Sequence, residues 1–186
     1  MNRRLLPMNH HEPAKENTNR LLQLFVYGTL KRGFWNHDRF CQGVLSVEEA
    51  EVTGRLYQFP SGIPILQVPK AHILAHGTSS PLADLATQRR FTEKLAQHLD
   101  LQPQDAPVGD WGLVSGELLT FSDPESRLPA IDRLEGYRPG GPFLYRRVLA
   151  PVTVSDQVST AWIYIGNPEG GEWERLFSGA WPEKPR

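Results

Sequence analysis

The chain has 186 residues, 39% hydrophobic and 22% charged, with a formal net charge of −1, the balance of a globular protein with one sizeable core and no compositional reason to divide it. Acidic and basic residues are interspersed, so no basic stripe is offered to a phosphate backbone and nucleic acid is not an expected partner. No apolar run approaches the roughly 20 residues of a membrane span, and the single Cys41 can form neither an internal disulfide nor a thiolate metal cage, which fits a reducing cytoplasmic setting.

Residues 1 to about 20 read as a polar, loosely ordered leader. Arg3 and Arg4 are followed only by Leu5 and Leu6 before Pro7, too little for the apolar centre of a signal peptide. A single domain is expected over 21–186. Its first element is LLQLFVYG, residues 21–28, a buried strand stopped by Gly28. A short helix is predicted from Asn36, as its cap, to Gly43. Residues 44–59 read as strand, with Gly54 permitting a bulge or a close backbone approach, and 63–68 as another. From 69 to 110 the pattern changes, and Ser80-Pro81 marks the start of an amphipathic helix carrying Leu82, Leu85, Phe91, Leu95 and Leu99.

Strand character resumes over 112–121. A short helix follows around PAIDRLEG, with Ile131 and Leu134 on one face and Gly136 as its stop. The runs LYRRVLAPVTV and TAWIYIG read as a strand pair joined through SDQVS. Six or seven strands with two or three helices that do not alternate regularly predict an α+β fold, as a small closed or half-closed barrel.

Several familiar constellations are absent or incomplete. His72 and His76 have the i, i+4 spacing of a zinc helix but lack the neighbouring acid, and two ligands make no site, so no metal is expected. His10 and His11 fall in the leader, and His37-Asp38 reads as a local polar pair. GLVSG places Ser115 one position late for a nucleophile elbow. Cys41 has no activating neighbour in sequence and reads as a small buried hydrophobe. GTLKRG lacks the spacing of a nucleotide P-loop.

Two features remain. The strand ending in Tyr27-Gly28-Thr29-Leu30 turns on a glycine, so successive N–H groups can face outward with the Thr29 hydroxyl beside them, a donor set suited to a carboxylate or an oxyanion. The plainer alternative is a tight strand-to-loop turn. Glu135 is predicted in the last turn of a short helix between Leu134 and Gly136, where the helix dipole and partial burial both disfavour its ionised form, so its pKa should be raised. A carboxyl so placed suits proton transfer, the alternative being a frayed, solvated glutamate.

FVYGTLKRG at 25–33, IDRLEGY at 131–137, LYRRVLAPV followed by AWIYIG, and FSGAW at 177–181 together resemble the γ-glutamylcyclotransferase-like family, which includes γ-glutamylamine cyclotransferases. The resemblance covers most of residues 21–181. It implies a small mixed β-barrel with flanking helices, the YGTL turn holding a γ-glutamyl head group, and Glu135 as the catalytic acid and base. The implied reaction needs no cofactor: the α-amine of a small γ-glutamyl compound attacks its own γ-amide carbonyl, giving 5-oxoproline and a free amine. Tyr137, Tyr145 and Tyr164 are candidate hydroxyl donors, each with core packing as the alternative. Tyr145 and Arg147 match the family's Y-x-R segment. Two departures stand out. Ala180 replaces an aspartate common in the tail motif, and the insertion at about 69–110 is a lid, a contact for a homodimer, or decoration. A non-catalytic module binding a small carboxylate on the same fold, or an enzyme that hydrolyses or transfers the γ-glutamyl group, stays open at this point.

Overall fold

Side chains that alternate between two apolar faces build this molecule as two cores separated by one curved sheet. The computed structural model describes residues 20–97, 108–141, 145–168 and 172–182. The chain runs β1 (Leu22–Val26), α1 (Trp35–Phe40), β2 (Ser46–Gln58), β3 (Pro64–Gln67), β4 (Ala75–His76), α2 (Pro81–Gln97), β5 (Gly112–Phe121), α3 (Pro124–Leu134), β6 (Tyr145–Val154), β7 (Gln157–Gly166) and β8 (Glu174–Arg175). β1 pairs antiparallel with β5 and parallel with β7. β5 continues to β2, β7 to β6, and Glu51 opposite Thr153 joins β2 to β6, closing a five-strand barrel. This is the α+β barrel with flanking helices that the sequence predicts.

Inside the barrel lie Phe25, Val52, Leu118, Val148 and Ile163, with Ala50, Ala150 and Ala161 keeping the lumen narrow. On the outer face Leu22, Leu24, Phe121, Leu149 and Trp162 meet Leu85 of α2 and Leu128 and Ile131 of α3. Most of these side chains are wholly buried, and each Val, Leu, Ile or Phe among them contributes roughly 1.5–3 kcal/mol by leaving water. Gly54 marks where β2 changes partner, from β5 up to residue 54 to β3 from residue 55. A Cβ there would lie 2.8 Å from the Gln67 carbonyl oxygen, so the close approach expected at this glycine is present.

Several local expectations are corrected. α1 begins at Trp35 with Phe34 at the cap position, and Asn36 sits inside its first turn because its side chain is bonded to Thr29. α3 starts at Pro124, earlier than predicted; Pro129 inside the helix hid that start from the pattern, whereas Pro124 occupies the first turn, where no N–H is needed. The β6–β7 connection is only Ser155-Asp156, both at positive φ (47° and 67°), a twisted two-residue turn; Gln157 to Ser159 already pair with β6. His72 lies in a 3-10 turn and His76 in β4, so the zinc-helix spacing is not helical. In α2 the buried face is Asp84, Leu85 and Gln88, while Leu82 is 46% exposed.

β4 and β8 are two residues each, too short to show a period. The expected leader up to residue 19, and Leu99, lie outside the described residues. Among the described residues no helix is long and apolar enough to cross a membrane.

Candidate active site

The end of β1 is fixed before it turns. Tyr27 donates its hydroxyl to the Tyr164 carbonyl (2.7 Å) and accepts from the Leu66 N–H (3.2 Å), tying β1 to β7 and β3. The next residues make a turn closed by Lys31 N–H to the Gly28 carbonyl (3.1 Å). Gly28 packs closely on the neighbouring loop: a Cβ would sit 3.0 Å from Pro64 Cγ, tight enough that the ring would have to shift. The carbonyl of Leu30 accepts from Nδ1 of His37 (2.8 Å), and the Thr29 hydroxyl accepts from Nδ2 of Asn36 (2.8 Å). The Gly28 and Leu30 carbonyls and the Thr29 hydroxyl are thus engaged. The N–H groups of Gly28, Thr29 and Leu30 have no acceptor among the described residues, which leaves successive donors unspent.

Glu135 arrives from the other side, at the end of α3. Gly136 has φ +64°, and Tyr137 N–H reaches back to the Asp132 carbonyl (2.8 Å), ending the helix in a Schellman turn. Glu135 is therefore the residue that closes the helix, one position past the last-turn placement expected from sequence. Burial raises its carboxyl from an ordinary 4.5 to about 7, and no described residue donates a hydrogen bond to it. Desolvation, more than the helix dipole invoked from the sequence, causes the shift.

These two pieces share a cavity of about 380 Å³, within the size range of small-molecule sites. Its wall includes Tyr27, Gly28, Thr29, Leu30, Glu135, Tyr145 and Tyr164. Burial raises the Tyr27, Tyr145 and Tyr164 phenols and keeps them neutral, with a smaller contribution from the negative charge of Glu135. Tyr145 donates to the Pro64 carbonyl (2.6 Å) and Tyr164 to Oδ1 of Asp132 (2.7 Å), so both protons are already committed inside the protein. Tyr137 does not line the cavity; its hydroxyl donates to the Gly77 carbonyl (2.7 Å).

Behind the wall lies a charged cluster that sequence reasoning reached only through Arg147. Its guanidinium is 1% exposed, 2.8 Å from Oδ2 of Asp84 on α2 and 3.3 Å from Oδ1 of Asp132 on α3. Tyr137 and Trp162 pack their rings against it. Asp84 also accepts from the Thr78 N–H and hydroxyl. Burial still raises both aspartates despite the adjacent cation. The predicted site also missed Trp35, Asn36 and the 61–64 segment of the lining. Asn36 is seven residues from Thr29, and only the fold of α1 onto the turn brings them together.

Among the described residues no three His, Cys, Asp or Glu side chains converge as metal ligands. Cys41 is buried, and burial raises its thiol to about 11, an inert state.

A family model described as gamma-glutamyl cyclotransferase, AIG2-like, matches residues 24–91 and 83–183. The chain belongs to this family. The matched residues of this AIG2-like cyclotransferase family member include both the 28–30 turn and Glu135. Among solved structures, YkqA from Bacillus subtilis is 19% identical with a TM-score of 0.47, over 87% of this chain; the chain spans 39% of that protein. PH0828 from Pyrococcus horikoshii is 17% identical (TM-score 0.43; 86% and 88% of the two chains). An AIG2-like protein from Mus musculus is 20% identical (TM-score 0.41; 81% and 82%). No curated protein matches by sequence.

Proposed function

We propose that this protein is a γ-glutamyl cyclotransferase-type enzyme that releases an amine and 5-oxoproline from a small γ-glutamyl compound, with Glu135 as general base and acid. The observation that carries the reading is one cavity holding a desolvated, unpaired carboxyl at about 7 and a turn with unspent N–H donors. Family membership supports the reaction class.

The chemistry divides between the two halves of the cavity. The substrate's α-ammonium has a pKa of about 8 and must lose a proton before its nitrogen can attack. A carboxylate near 7 accepts that proton far better than one at 4.5. The nitrogen then bonds to the γ-carbonyl carbon, and negative charge develops on the carbonyl oxygen. Donors of the 28–30 turn stabilise that oxygen or hold the substrate carboxylate. The protonated Glu135 returns its proton to the departing nitrogen as the amide C–N bond breaks, and the second proton on the new ring nitrogen passes to the regenerated carboxylate. The aromatic faces of Tyr145 and Tyr164 form the wall against which the head group packs.

The test is incubation with a panel of γ-glutamyl amides and measurement of 5-oxoproline for the wild type and Glu135→Gln. Turnover by the wild type and its loss in the variant is the expected result. Free glutamate as product would replace cyclisation with hydrolysis. No turnover, together with a rise in melting temperature on adding 5-oxoproline or glutamate, would make the protein a binding module.

A further inference from the structure

The wall of the cavity changes character toward solvent. Trp35 and Ile63 belong to it and are 64% and 45% exposed, so they stand at its rim. Trp35 opens α1, the helix whose Asn36 and His37 hold the 28–30 turn. Ile63 is presented by the connection between β2 and β3, which is closed by Phe59 N–H to the Ile63 carbonyl (2.9 Å) and Gly62 N–H to the Phe59 carbonyl (2.7 Å). Both segments are held beside the proposed head-group site, and both side chains leave apolar surface in water that a bound ligand would cover. Leu134 and Pro64 continue the apolar surface inward. Among the described residues of the lining there is no Lys, Arg or His, and Glu135 is its one carboxyl.

Resting on the cyclotransferase reading above, we propose that Trp35 and Ile63 form the leaving-group subsite, and that it selects γ-glutamyl amides of amines with an uncharged apolar substituent, aromatic or branched aliphatic. An amine bearing a carboxylate, as in γ-glutamyl amino acids, is disfavoured for two physical reasons. Its charge would meet the apolar surface of Trp35 and Ile63 with no cation in the lining to pair it. It would also share the cavity with the Glu135 carboxylate, a like charge. An aromatic ring, by contrast, meets an exposed indole face and an aliphatic edge of matching polarity. The head group would be common to every substrate, so discrimination falls on this rim.

The experiment compares kcat/KM for γ-glutamyl benzylamide, γ-glutamyl methylamide and γ-glutamylglycine by 5-oxoproline release. The benzylamide should exceed each of the others by at least about tenfold, the scale on which hydrophobic pockets discriminate. Trp35→Ala should lower the benzylamide-to-methylamide ratio about tenfold, and Ile63→Ser should lower it severalfold. Equal or better turnover of γ-glutamylglycine, or an unchanged ratio in both variants, overturns the assignment. Turnover of none of the three instead overturns the catalytic reading. The subsite is then judged by calorimetric binding to Glu135→Gln: tighter binding of the benzylamide than of γ-glutamylglycine supports it, and equal or weaker binding overturns it.

Discussion

Asp132 and Glu135 sit within one helix turn of each other in this molecule, and they behave oppositely. Asp84 on α2, buried, and Asp132 on α3, half-buried, flank Arg147, with Thr78 and Tyr164 supplying further hydrogen bonds. Glu135, three residues beyond Asp132, is desolvated by the same fold yet has neither cation nor donor among the described residues. Burial raises all three carboxyls. The difference is compensation. A compensated buried acid holds elements together, here α2, α3 and β6, while an uncompensated one facing a cavity is available to move a proton.

The sharpest way to break this contrast is to neutralise the uncompensated member. Glu135→Gln should lower kcat/KM by about 10²–10⁴-fold, the usual contribution of a positioned acid-base group, measured by 5-oxoproline release. Its stability should move the other way. The native carboxyl binds its proton near pH 7 and the unfolded one near 4.5, so the native state holds more protons in between. The contribution of Glu135 to stability therefore falls as pH rises from about 4.5 to 7 and stays low above that. Glu135→Gln should match the wild type in urea unfolding at pH 4 and exceed it by about 2 kcal/mol at pH 8, a value reduced for partial solvent contact. In the wild type, the base-dependent limb of kcat/KM should rise through pH 7. A limb near 4.5 would return Glu135 to the class of solvated surface acids.

Removing the compensation should be comparably severe but structural. Arg147→Ala leaves Asp84 and Asp132 buried without their cation, which costs about 3–5 kcal/mol. With the cation gone, both native carboxyls hold protons more tightly still. The loss should then be greatest near pH 8 and shrink toward pH 5, where they can bind protons and become neutral. Urea unfolding at the two pH values tests this, and a pH-independent loss would show that packing of the guanidinium against Tyr137 and Trp162 dominates.

The same contrast explains what could be read in advance. The barrel was legible because its strands alternate between two faces, and because Gly28 follows β1 at its turn and Gly54 sits in β2 where another strand comes close. Glu135 stood out because an acid at a helix C-terminus conflicts with local preference. The Arg147 cluster was not legible. Asp84 lies in an amphipathic pattern that favoured Leu82 as the core residue, and what reverses that choice is a partner 63 positions away in sequence. The two-residue strands β4 and β8 carry too few side chains to display a period, and their existence depends on the longer strands they join.

A smaller effect probes the link between the two groups. Tyr164 lines the cavity, yet its hydroxyl serves Asp132. Tyr164→Phe keeps the ring and removes a hydrogen bond to a charged acceptor, which should reduce stability by about 1–2 kcal/mol. The last turn of α3 would then hold Glu135 less firmly, so kcat should fall less than tenfold while the pH limb stays near 7. A shift of that limb together with the rate would show that Tyr164 acts on the acid itself.

The smallest effect concerns the other half of the cavity, where Asn36 fastens Thr29. Its Nδ2 makes the one hydrogen bond found for the Thr29 hydroxyl among the described residues, and its buried Oδ1 has no partner there. Asn36→Ala removes a hydrogen bond worth about 1 kcal/mol and, at the same time, a buried acceptor that costs a similar amount, so net stability should change by less than about 1 kcal/mol. Function should respond more than stability. Freed of Asn36, the Thr29 side chain can rotate, and the turn loses one of the contacts that hold it in the cavity wall. If the turn holds the substrate equally in ground and transition states, KM should rise about threefold to fivefold with kcat unchanged. If instead its donors act on the carbonyl oxygen as charge develops, kcat should fall and KM should not. Asn36→Ala thus assigns the 28–30 donors to carboxylate binding or to oxyanion stabilisation.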